Sequence, residues 1–266
     1  MDHLLIRISP GLLVCVAILT TSLVVTTATA AALGEGCTYI IDQPPYSYLG
    51  QGKQTGLLYE LLGQMAMRAG MSSCISSMPF KRVAMQVKAR PNSLGVIWRQ
   101  PEIEQSYTWV LKLFEEPVIL VARYDTDVDI FSIEVARNLR VGVVLGSPAE
   151  VVARRLGFQH IDVSNTVTDN AWKLQHGRID AWLALPSVIS AAQRQIGSDL
   201  SAVRFGLPIE NTSMYLSCAA ACKDVDINRW KEAALAMKKD GTYARIVDKY
   251  AMKISTQNGG DFIAPK

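Results

Sequence analysis

The stretch from Arg99 to Trp109, "RQPEIEQSYTW", sets a guanidinium beside Glu102 and Glu104 and closes on aromatic residues. A guanidinium is a planar fork of donors, so Arg99 either clamps an anionic ligand or pairs with one of those glutamates on a solvated turn. Arg82, in "PFKR", poses the same choice between a cleft anion and the outer face of its helix. Ser147, in "GSPAE", joins a capping hydroxyl to the free N–H groups of a helix start, and Pro148 removes one of those donors. The sequence gives no catalytic constellation. His160 and His176 adjoin no nucleophile motif, "GSPAE" departs from the Gly-x-Ser-x-Gly elbow, and Asp42, Glu60 and Glu210 show no working spacing. A binding protein without turnover or cofactor is expected.

Cysteine chemistry narrows the setting. The N-terminus, "MDHLLIRISPGLLVCVAILTTSLVVTTATAAA", has one basic residue, an apolar run diluted by threonines, and small residues at Ala28-Thr29-Ala30. That layout is expected to be a secretory signal over residues 1–32, cut after Ala30 or Ala32, because the apolar run falls short of the ~20 residues a membrane span needs. Export would place the mature chain in the periplasm, with Cys37, Cys74, Cys218 and Cys222 in an oxidising compartment. Four cysteines admit three pairings, and the residues alone do not choose among them. Zinc is disfavoured: "CAAAC" stands alone and the histidines form no ligand pair, so no metal is expected. A net charge of +3 without a basic stripe excludes a nucleic-acid partner.

The elements that must position these residues alternate. "CTYIID" and "SCISSM" read as strands flanking "GLLYELLGQMAMRAG", whose apolar residues recur at helical spacing and stop at Gly70. "RVGVVLGSPAEVVARRLGF" reads as strand, turn and helix, with Ser147 as N-cap and Pro148 at the first helical position. "TDNAWKLQHGRIDAWLAL" reads as a capped helix, a Gly177 stop and a buried strand. Alternation of this kind predicts an α/β fold with parallel sheets.

The succession "PPYSYLGQGKQTGLLYELLGQMA", "MPFKRV", "RVGVVLGSPAE", "KLQHGRIDAWLA" and "MKKDGTYARIVDKY" resembles, in order, the bacterial extracellular solute-binding proteins of family 3. The resemblance implies a type II periplasmic-binding-protein fold, two lobes joined by a hinge and closing on a small ligand. It places lobe one at 33–121 and 211–266 and lobe two at 122–210. It further implies a monomer that serves the membrane permease of an ABC transporter, or alternatively a periplasmic sensor domain. A third alternative is an enzyme similar to the cyclohexadienyl dehydratases.

Amino-acid receptors of this family resemble one another in placing an arginine where this chain has Ile103, and an acidic residue near Leu185. Losing both anchors points away from a standard α-amino acid, since an unpaired buried zwitterion costs several kcal/mol. Arg99 and Arg82 then become the expected contacts for a polar or anionic group. Gln43, Tyr46, Tyr48, Phe80, Trp98, Ser147 and Trp182 complete the expected site, at or beside turns that the resemblance places on the cleft. The same resemblance, by setting the first two strands side by side, implies the pairs Cys37–Cys74 and Cys218–Cys222.

Overall fold

The computed structural model describes residues 37–71, 74–223 and 225–250, with the backbone of two short strands beyond them. The expected signal segment lies outside the described residues. The strands are Thr38–Ile41 (β1), Tyr48–Gly50 (β2), Lys53–Thr55 (β3), Ile75–Met78 (β4), Leu94–Arg99 (β5), Tyr107–Arg123 (β6), Arg140–Val144 (β7), His160–Ser164 (β8), Ala181–Ala184 (β9), Val203–Ala219 (β10), Lys253–Ser255 (β11) and Asp261–Ile263 (β12). The helices are Leu57–Arg68 (α1), Phe80–Ala89 (α2), Ile133–Ala136 (α3), Pro148–Arg155 (α4), Val167–Gln175 (α5), Pro186–Gln195 (α6), Ile227–Lys239 (α7) and Thr242–Tyr250 (α8).

Local sequence accounts for most of these boundaries. In α1 the residues Leu57, Leu58, Leu61, Leu62, Met65 and Ala66 form one buried stripe, as a 3.6-residue period requires. Gly70 then takes φ 63°, where a side chain is costly, and Met71 N–H bonds back to Ala66 O at 2.9 Å. Helix α4 starts at Pro148 behind Ser147, whose Oγ accepts from Glu150 N–H. Helix α5 starts one residue before the expected stretch, because Thr166 supplies the cap to Asp169 N–H.

The main sheet runs β4-β1-β5-β10-β6-β9-β7-β8. Its two halves, β4-β1-β5 and β9-β7-β8, are parallel as expected. The middle corrects the expectation of wholly parallel sheets: β10 is antiparallel to both β5 and β6, and β6 is antiparallel to β9. The physical reason is that β6 and β10, 17 residues each, run through both halves as one long antiparallel ladder. β10 meets β5 through Ser213–Ser217, whereas β6 meets β9 through Ile119–Val121. Between those contacts, Glu116 and Pro117 oppose Thr212 and Asn211, and among the described residues only these two strands connect the half-sheets there.

Two sulfur bridges tie the first half: Cys37 to Cys74, beside the β1–β4 ladder, and Cys218 to Cys222, at the end of β10. Among the described residues no helix is long and apolar enough to cross a membrane.

Candidate functional site

The carboxyl ends of strands from both half-sheets face one cavity. From the first half come Ile41 at the end of β1, Gln43 and Tyr46 in the following turn, Phe80 at the start of α2, and Trp98 in β5. From the second half come Val144, Ser147, Pro148 and Ala149 around the start of α4, Val167 of α5, Trp182 to Ala184 of β9, and Leu185 and Val188 around the start of α6. The enclosed space is about 30 Å³, room for one or two waters. The walls of this cavity include no charged side chain.

Tyr46 is held there by its own loop. Its N–H donates to Gln43 O at 2.8 Å, and α1 clamps the loop through Leu57 N–H to Pro45 O and Leu58 N–H to Tyr46 O, both 2.9 Å. Gly56 permits this approach: at φ 124°, a Cβ there would sit 2.5 Å from Tyr46 O. The ring stacks on Phe114 at 5.7 Å and meets Trp98 edge-on at 6.0 Å, favourable aromatic geometries.

Beneath the cavity lies a polar cluster of residues far apart in sequence. Glu116, from the β6 crossing, accepts from Ser187 Oγ at 2.8 Å, from Ser187 N–H at 3.2 Å and from Tyr46 OH at 3.4 Å. Tyr46 follows β1 in the first half, and Ser187 starts α6 in the second, so the carboxyl joins both halves at the crossing. Glu116 is only 4% exposed. Burial pushes its pKa up to about 7 against the opposing pull of the Ser187 and Tyr46 hydrogen bonds. Burial, reinforced by Glu116, also pushes the Tyr46 hydroxyl well above its usual value.

The turn before α4 is likewise occupied from within. Gly146 N–H donates to Glu150 Oε2, while Glu150 Oε1 accepts from Arg154 Nη2 at 2.8 Å. Ser147 caps Glu150 N–H at 3.3 Å. The result is a self-satisfied N-terminus resembling a capping box.

Of the residues singled out in the sequence, Gln43, Tyr46, Phe80, Trp98, Ser147 and Trp182 come together in the cavity wall. Tyr48 does not; it borders shallower grooves outside, with Pro44 and Gln195. Arg82 is exposed on α2 and lines no part of the cavity. Arg99 takes the alternative that the sequence allowed. Its Nε donates to Glu104 at 2.9 Å and its Nη1 to Tyr215 OH at 3.3 Å, with the guanidinium over the Trp109 and Tyr215 rings. Ile103 packs against the core, and Leu185 forms cavity wall. Glu116 and Ser187 were not foreseen. The available signal was a glutamate inside the apolar run "LFEEPVILVA", a residue type rarely buried without a partner.

No family model matches the chain, and no curated protein sequence matches it. Solved structures do match in shape. An ancestral arginine-binding protein bound to arginine superposes with TM-score 0.69 at 20% identity, over 82% of this chain and 99% of the other. A histidine kinase sensor domain with similarity to periplasmic binding proteins gives 0.68 at 18% identity, over 80% and 95%. An ancestral amino-acid-binding protein described as a precursor of cyclohexadienyl dehydratase gives 0.67 at 18% identity, over 82% and 96%. With its crossed pair of long strands and its cavity between strand ends, the chain has the two-lobed fold of the periplasmic binding proteins.

Proposed function

We propose that the chain is an exported solute-binding receptor of the family 3 type, whose lobes, 33–121 with 211–266 and 122–210, close on a small molecule for delivery to an ABC importer. The supporting observation is the cavity itself: strand ends and helix starts from both half-sheets wall one space across a two-strand crossing. Ligands of α/β sheets sit beyond the carboxyl ends of strands, and two-strand crossings of this kind are where hinge closure acts. A space of about 30 Å³ is far below the ~300 Å³ of an ordinary small-molecule site, so in this reading the lobes part to admit ligand. The missing anchors at Ile103 and Leu185 support a ligand other than a standard α-amino acid.

The test is a thermal-shift screen of the mature protein, unfolded and refolded to strip carried ligand, against amino acids, carboxylates, amines, amides, polyols and dipeptides. Ligand at 100 times its dissociation constant stabilises by about 2.7 kcal/mol, and X-ray scattering on the same sample reads compaction. Stabilisation together with compaction supports a closing receptor; neither, across the panel, rejects it. Recovery of unchanged ligand by mass spectrometry separates a receptor from an enzyme.

The likeness to a kinase sensor domain favours signalling as a second reading, since the same closure serves either role. Cross-linking in intact cells distinguishes the two, by recovery of a permease or of a sensor protein.

A further inference from the structure

We infer that the cleft takes an uncharged, flat molecule carrying a hydrogen-bond acceptor on its edge, such as an aromatic or heteroaromatic amide, and rejects carboxylates and zwitterions. This rests on reading the cavity as the binding cleft, and it names the class of ligand. Three observations carry it. First, the wall holds rings, Tyr46, Phe80, Trp98 and Trp182, and no charged side chain; rings of this kind favour flat partners by offset or edge contact.

Second, part of the donor set that would greet an anion is already taken or missing. At the start of α4 the Gly146 N–H is held by Glu150, and at the start of α6 the Ser187 N–H is held by Glu116. Pro148 and Pro186 occupy the first helical positions and have no N–H to offer. An incoming carboxylate would have to displace the protein's own carboxyls and then stand beside them. One cation reaches the neighbourhood: the Lys81 stem lies beside Gly146, but the residue is exposed, so its ammonium stays in water and pairs weakly.

Third, one donor is left over. Trp182 forms part of the wall, is 0% exposed, and its indole N–H has no hydrogen-bond partner. Buried donors without partners are rare and costly in folded proteins, and a neutral carbonyl or ring nitrogen would satisfy this one without bringing a charge. Gln43, in the same wall and part-exposed, adds a side-chain amide.

The experiment compares matched pairs on the stripped, refolded protein: nicotinamide against nicotinate and benzamide against benzoate, with phenylalanine as the zwitterion, by calorimetry and thermal shift. The amide of each pair is expected to bind at least tenfold tighter than its acid. Trp182→Phe is expected to lower nicotinamide affinity at least tenfold. Should that variant fail to fold, Gln43→Leu, at a part-exposed position, is expected to weaken nicotinamide binding with the unliganded Tm unchanged. An acid binding as tightly as its amide, or phenylalanine binding more tightly than benzamide, overturns the ligand class and leaves the receptor reading standing. So does unchanged nicotinamide affinity in Trp182→Phe. No stabilisation by these five compounds or by the wider panel overturns both.

Discussion

Replacing Glu116 by glutamine removes the buried carboxyl at the crossing of β6 and β10 while keeping an acceptor for Ser187. Two effects compete at this carboxyl. Three donors and the start of α6 favour the ionised form, and full burial favours the neutral form; burial wins, and the folded pKa lies at about 7 against an ordinary 4.5. That difference corresponds to roughly 3–4 kcal/mol. The sign follows from proton counting. Between those values the native state holds a proton that the unfolded chain has released, so this group's stabilisation is complete below pH 4.5 and is lost as pH rises through 7. From pH 5 to pH 8 wild type should therefore lose roughly 2–3 kcal/mol relative to Glu116→Gln. For a domain of this size that corresponds to roughly 5–10 °C in relative Tm. Urea melts of both proteins at half-unit pH steps, in constant ionic strength, provide the assay. A flat difference between pH 5 and pH 8, or wild type gaining on the variant as pH rises, would falsify the buried-acid argument and assign Glu116 a stabilised negative charge.

Arg99→Ala should leave ligand-induced thermal shifts intact, because the guanidinium is engaged by Glu104, Tyr215 and the Trp109 ring; a lost shift would return Arg99 to the cleft. Removing the Cys37–Cys74 bridge, which spans 37 positions, should cost about 4 kcal/mol by loop entropy, against about 2 kcal/mol for Cys218–Cys222, which spans 4. Denaturation midpoints of the two double-serine variants check the order, and a larger loss from the short loop would contradict it. Gly56→Ala forces a Cβ within 2.5 Å of Tyr46 O at φ 124°. A loss of at least about 2 kcal/mol is expected, with broadened Tyr46 ring signals in NMR spectra; an alanine variant as stable as wild type would show that the loop at Tyr46 yields.

Elements whose cause is local were legible from the residues. The stripe of α1 and its stop at Gly70, the Ser147–Pro148 start of α4 and the strand "RVGVV" each depend on neighbours within about one turn of chain. Of the nine residues singled out, Gln43, Tyr46, Phe80 and Ser147 line the cavity from the ends of strands, as turns on one edge of an α/β sheet do, and Trp98 and Trp182 line it from within β5 and β9. The choice facing Arg99 was also visible, because Glu104 lies only five residues away. Tyr215, which helps settle that choice, lies 116 residues away.

The sequence by itself determined an α/β chain, the Ser147 cap of α4, four cysteines apt for pairing, and the absence of an arginine at position 103. Only the tertiary structure decided the antiparallel middle of the sheet, because β6 and β10 pair across some eighty intervening residues that carry no local record of their partner. It alone brought Glu116 to Tyr46 and Ser187, 70 and 71 positions away, and buried all three together. Burial is a property of everything packed around a group, and that is why the same glutamate reads as an ordinary acid in the chain and as a near-neutral one in the fold.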